Sequence, residues 1–252
     1  MRFDPDAWLL TRPRLANLNT VLISPSKQPP ASLVVLCHGF GASGTDLVGV
    51  FEELLPHLPE DSPKSAFLFP EAPIDMSDEG MYGSRAWWRL NMAALMLMSE
   101  TNSFHQMRDA VPDGIDEART ALCDCVSACI QTQSWEGLRI VLGGFSQGAM
   151  LTVDTALRGS IGPIAGLIVL SGALICESQW RTAASERPLA VPLVQSHGRV
   201  DPILPIETGR WLHSLLTDIG CKGSLLEFNG PHTIPADACQ RIASLISNVA
   251  IT

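Results

Sequence analysis

Short apolar runs alternate along the chain with stretches whose apolar residues recur every three or four positions. Residues 21–23, 33–37, 66–69, 140–142, 164–170, 193–196 and 223–228 read as strands, several of them continuous apolar runs of the kind buried on both sheet faces. Helical spacing offers Leu47, Val50, Phe51, Leu54, Leu55 and Leu58 for burial from 46–58, closed by Pro59 and followed by a polar turn. The same spacing sets Ile115, Leu122, Val126, Cys129 and Ile130 on a helix at 113–131, and Met150, Leu151, Val153 and Leu157 on one at 147–157. Later helices bury Ile206, Leu212, Leu215, Leu216 and Ile219, then Ile242, Leu245, Ile246 and Val249, whereas 177–188 reads as a polar loop. Strands alternating with helices predict an α/β fold, a mostly parallel sheet with helices on both faces, as a single domain over 1–252. Ligands of such sheets bind beyond the carboxyl ends of the strands.

Residues 74–111 break the alternation. They start with acidic, Gly and Met residues, pass through Trp87 and Trp88, and continue into a Met-rich run at 92–98. The stretch is too long for a simple connection. One reading is a lid or substrate wall, with Trp87, Trp88, Met92 and Met96 touching substrate through flexible apolar side chains. The other is a short helix packed on the core.

The most informative stretch is 139–151, where an apolar strand runs through Gly144-Phe145-Ser146-Gln147-Gly148 into a helix. A serine at such a sharp strand-to-helix turn needs small neighbours so that two backbones can approach, and Gly144 and Gly148 meet that need. The following helix aims its free N–H groups and positive dipole end at the same spot. Asp201, His232 and the loop His38-Gly39-Phe40-Gly41 also lie just after predicted strands, so all converge on one sheet edge. A serine hydroxyl becomes a useful nucleophile only with a base in reach and a third group orienting that base, roles that fit His232 and Asp201. Asp201 before Pro202 could instead cap the next helix. His213 sits within a helix, His197 shares the strand-end loop of Asp201, His38 suits an organising role in the glycine loop, and His57 and His105 lack supporting context. Charge developing on a carbonyl oxygen calls for fixed donors, for which the backbone N–H groups of Phe40 and Gln147 are the candidates.

Composition narrows the function classes. A net charge of −9 with scattered Lys and Arg argues against a nucleic-acid partner. No run of eighteen or more apolar residues suggests a membrane span, and the N-terminal segment does not read as a signal peptide, which makes the cytoplasm the default location. Of the seven cysteines, Cys123, Cys125 and Cys129 cluster in a helical pattern without a nearby histidine, so no metal site is expected.

The chain resembles the carboxylesterase/phospholipase family of α/β-hydrolases, which includes the acyl-protein thioesterases. The resemblance is carried, in family order, by LCHGFGASGTDL from Leu36, FPEAP from Phe69, GGFSQGAM from Gly143, LSGAL from Leu170, HGRVDPILP from His197 and NGPHTIP from Asn229. It implies an α/β-hydrolase fold and a serine hydrolase without a cofactor, with Ser146, Asp201 and His232 as triad in the chain order of that fold. The implied partners are small-molecule or lipid esters and thioesters, acylated proteins among them. Ala149 stands where the family commonly has glycine, Pro231 where a glycine before the histidine is usual, and 74–111 is longer and richer in Met. The alternatives are a non-catalytic binding protein on the same scaffold, or a hydrolase of peptides or lactones.

Overall fold

The computed structural model describes residues 6–59 and 65–251. Most of the polar turn expected after Pro59, at 60–64, and the first five residues of the N-terminal segment lie outside the described residues. In chain order come β1 (Trp8–Thr11), β2 (Arg14–Leu15), β3 (Leu18–Pro25), β4 (Ser32–Cys37), α1 (Val48–Leu54), β5 (Ala66–Pro70), β6 (Ile74–Asp75), β7 (Arg85–Ala86) and α2 (Met92–Glu100). Strict alternation follows: α3 (Ile115–Gln133), β8 (Arg139–Phe145), α4 (Gln147–Arg158), β9 (Ile164–Leu170), α5 (Glu177–Glu186), β10 (Leu193–Gly198), α6 (Ile206–Asp218), β11 (Leu225–Phe228) and α7 (Ala236–Ile251).

Among the described residues, nine strands form one sheet in the order β1-β3-β5-β4-β8-β9-β10-β11, with β2 on β3. β1, β3 and β5 pair antiparallel, and every pairing from β5 to β11 is parallel. The twofold period of a strand divides β4 between two cores. Val34 and Leu36 join the cluster containing Phe51 of α1 and Ile242 of α7, while Leu33, Val35 and Cys37 join the one containing Leu122, Leu151, Trp180 and Leu212 from α3 to α6. Side chains of this size contribute about 1.5–3 kcal/mol each when fully buried, which is why the central strands read as unbroken apolar runs. The architecture is the mostly parallel, doubly covered sheet that the alternation predicts.

Four elements depart from the pattern. α1 ends at Leu54 and continues as a tight turn over Leu55–His57, because Pro56, not Pro59, interrupts the helix. The expected polar loop at 177–188 is mostly the helix α5, which needs few apolar residues because it docks through one large anchor. Trp180 is wholly buried and its indole N–H donates to Asp154 on α4 at 2.8 Å. β1 and β2 are edge pieces too short for a clear period.

Candidate active site

β8 and α4 are joined by one residue, Ser146, whose backbone is held at φ 54° and ψ −117°. A non-glycine residue in that region stores about 1–3 kcal/mol of strain and persists only where its surroundings enforce it. Here they do. A Cβ on Gly144 would stand 2.4 Å from the Gly148 carbonyl, and one on Gly148 would stand 2.0 Å from the Cys37 oxygen, so the first turn of α4 lies directly on the ends of β8 and β4. Ser146 is left half-buried at the sheet edge. Gly39 crosses just in front of it, its missing Cβ position 3.3 Å from that of Ser146.

His232 comes from the loop between β11 and α7. Its ring packs on Phe145, centroid to centroid 4.7 Å, and its Nδ1 lies 2.6 Å from Asp201 Oδ2. Asp201 has a buried side chain and accepts two more bonds at Oδ1, from the N–H groups of Ile203 and Leu204, both at 2.9 Å. Burial is the largest influence on this carboxyl and pushes its pKa up. His232 and the two amides outweigh it, so the group is held below the usual carboxylate range. Asp201 does not cap α6, whose N-cap position is Pro205. The ends of β8, β10 and β11 thus bring Ser146, Asp201 and His232 to one edge of the sheet.

His38 is buried and accepts the Ala72 N–H at Nε2, which leaves its proton on Nδ1 for the Gly39 carbonyl 2.8 Å away. That ring organises the glycine loop. His213 bonds Gln195 within the β10–α6 packing, and His57 and His105 are exposed. The half-buried Phe40 sits at the tip of the glycine loop, and Gln147 is the first residue of α4. Neither backbone N–H is taken by a hydrogen bond among the described residues, as the geometry of a turn tip and a helix start allows.

A model of the phospholipase/carboxylesterase family matches residues 18–250. The chain belongs to that family. An acyl-protein thioesterase 1 homolog from Dictyostelium discoideum is 24% identical over 201 residues, covering 79% of this chain and 82% of that protein. The acyl-protein thioesterase 1 of Kluyveromyces lactis is 28% identical over 200 residues, covering 76% and 79%. Among solved structures, esterase PE8 shares the fold at a TM-score of 0.69 and 23% identity, covering 95% of this chain and 99% of its own. Zea mays acyl-protein thioesterase 2 does so at 0.65 and 21%, covering 92% and 98%.

This member of the family accommodates its two unusual small-residue positions. Ala149 is wholly buried, with its Cβ 3.0 Å from where Gly172 would carry one, and Pro231 leaves the His232–Asp201 bond intact. The stretch 74–111 divides into two parts. Its first part is a buttress for the glycine loop. Arg85 exchanges backbone hydrogen bonds with Gly41 and Ala42, and its guanidinium binds the Ala72 and Pro73 carbonyls and Asp75. Trp87 and Trp88 are each 1% exposed, which corrects the expectation that they touch substrate. The Trp87 indole donates to the His38 carbonyl at 3.0 Å, and the Gln147 side chain accepts from Trp87 N–H and donates to the Trp88 carbonyl. This use of the Gln147 side chain is not signalled in the sequence, because its partners lie about sixty positions away in an irregular segment.

The second part, α2, has no fully buried residue, which overturns the reading of a helix packed on the core. Met96 and Leu97 are 62% and 58% exposed. Met92, Leu95 and Met96 line a groove of about 300 Å³ whose other wall is Pro202 and Ile203, directly after Asp201.

Proposed function

We propose that Ser146, His232 and Asp201 act as nucleophile, general base and base-orienting carboxylate in a hydrolase of carboxylic esters and thioesters. The observation that carries this reading is the strained Ser146 elbow at the same sheet edge as a His232–Asp201 bond of 2.6 Å. Asp201 accepts the Nδ1–H of His232, which leaves Nε2 as the free base. Ser146 Oγ attacks the acyl carbon as His232 Nε2 takes its proton, and the carbonyl oxygen becomes an oxyanion facing the N–H groups of Phe40 and Gln147. When the tetrahedral intermediate collapses, the bond from carbon to the leaving oxygen or sulfur breaks and His232 returns the proton to that atom. Water then adds to the acyl-enzyme by the same exchange, releasing the acid and restoring Ser146.

We read 1–252 as one domain with 74–111 inserted, α2 forming a substrate wall over the groove beside Pro202 and Ile203. An apolar wall suits the acyl part of a substrate, whether the leaving group is a small alcohol, a lipid or a protein cysteine. No helix among the described residues is long and apolar enough to cross a membrane. All seven cysteines are free and buried, in keeping with work in the reducing cytoplasm.

The test is mass spectrometry after exposure to a fluorophosphonate, followed by turnover of p-nitrophenyl esters and an acyl thioester. Single labelling at Ser146, turnover by the native chain and loss of both in Ser146→Ala are expected. Turnover that survives Ser146→Ala would overturn the assignment.

A further inference from the structure

His197 has no part in that chemistry, yet it is wholly buried at the end of β10, four residues before Asp201. Its Nε2 lies 2.7 Å from the Leu204 carbonyl and 3.5 Å from Asp201 Oδ2. A carbonyl can only accept, so Nε2 carries the proton. Burial lowers the pKa of this histidine, which keeps the ring neutral with that one proton. Nδ1 then has no partner among the described residues, and it faces Gly209 on α6, where a Cβ would stand 2.4 Å away. Gln195 holds α6 at that distance through a 2.9 Å bond from its Nε2 to the Gly209 carbonyl.

Packing alone does not account for an imidazole here. An apolar side chain of similar volume would fill the space without an orphan ring nitrogen. What the imidazole supplies is one directed donor, and that donor reaches the loop carrying the carboxylate. The Leu204 carbonyl receives the His197 proton while the Leu204 N–H donates to Asp201 Oδ1, and Asp201 Oδ2 receives His232.

We propose that His197 is a positioning residue, which pins the turn at 201–204 so that Asp201 presents one oxygen to the backbone and the other to His232. The inference rests on the triad reading above. It assigns a function to a buried histidine outside the triad and to the glycine that makes room for it.

Asn and Gln separate the donor from mere bulk. A Gln amide reaches about where Nε2 stands, whereas an Asn amide ends near Nδ1 and falls short of Leu204. With a p-nitrophenyl ester, His197→Asn is expected to lower kcat about a hundredfold, the scale of a small misplacement of a catalytic group, with KM little changed. His197→Gln should recover most of the loss. The far-downfield proton resonance of the His232 Nδ1–H···Asp201 bond should be present in the native protein and the Gln variant and absent from the Asn variant. Gly209→Ala, which leaves His197 in place but presses on its ring, should also lower kcat. Equal losses in Asn and Gln would reduce His197 to a space-filler, and native kcat in Asn or in Gly209→Ala would overturn the proposal. If the native protein turns nothing over and takes no fluorophosphonate, the triad reading fails by itself. The downfield resonance still decides whether His197 holds Asp201 against His232.

Discussion

A methyl group on Gly148 would have to occupy the space of the Cys37 and His38 carbonyl oxygens, at 2.0 and 2.5 Å. Neither neighbour can yield, since both belong to the backbone that leads from β4 into the glycine loop. Gly148→Ala is therefore expected to cost about 3 kcal/mol in urea denaturation, at the upper end of overpacking penalties, and to abolish labelling of Ser146. Gly49→Ala is the contrasting case. That glycine is exposed within α1 with nothing within 4 Å of the added carbon, so the exchange should stabilise the protein by about 0.5–1 kcal/mol. A Gly148→Ala protein of native stability would mean that the elbow is looser than its contacts state. At this scale the sequence speaks clearly where a residue type has one physical use, as with glycines on either side of a serine between strand and helix. It is silent on the side chain of Gln147, whose partners Trp87 and Trp88 only folding brings near. The burial of Trp87 and Trp88 is equally hard to see in the sequence, since a large aromatic residue in an irregular segment suits either a pocket or a core.

Elements follow the same division. The central strands and α3, α4, α6 and α7 are legible because each buries a continuous or periodic apolar face. α5 is not, because Trp180 and Ala184 are its only buried residues and a hydrogen bond to Asp154 completes its docking. α2 is a different case, an apolar helix that stays at the surface. If it is the substrate wall, replacing Met92 and Met96 by Ser should leave turnover of acetyl esters near native and depress that of long-chain esters several-fold. The mean loss per exchange follows from about 0.8 kcal/mol for each methylene that no longer meets an apolar surface. An unchanged chain-length profile would remove α2 from the substrate path. The outer edge of the sheet offers a test by pH. Glu227 on β11 accepts two bonds from Arg210 on α6, at 2.8 and 2.9 Å, and one from Arg199, and the Arg210 bonds lead in holding its pKa down to about 2. A depressed carboxyl stabilises the fold above its unfolded value of about 4.3, and that contribution fades as the pH falls through the folded value. The gap in urea stability between the native protein and Glu227→Gln should therefore be under about 1 kcal/mol near neutral pH, as for other exposed pairs, and should close in acid. A gap that widened on acidification would contradict the pairing.

On the scale of the whole molecule, the seven cysteines act as built-in reporters. They lie on β4 (Cys37), on α3 (Cys123, Cys125, Cys129), before α5 (Cys176), before β11 (Cys221) and on α7 (Cys239), and all are buried. Burial raises the pKa of every one, to about 12 for Cys125, Cys129, Cys176 and Cys239 and to about 11 for Cys221. An ordinary thiol titrates near 8.5, and only the thiolate reacts with an alkylating agent, so both exclusion and protonation protect these groups. Iodoacetamide at neutral pH should then modify the native chain only as fast as it opens, and mass spectrometry of partly labelled samples can follow each position. If 1–252 is one cooperative unit, chains with seven adducts should accumulate directly from chains with none, because one opening event exposes both faces of the sheet together. The α3 thiols and Cys239 sit on opposite faces, in separate apolar clusters that share only the strands between them. Labelling of Cys239 well before Cys125 and Cys129 would show α7 detaching alone, and the one-domain reading would give way to a sheet whose two layers unfold independently.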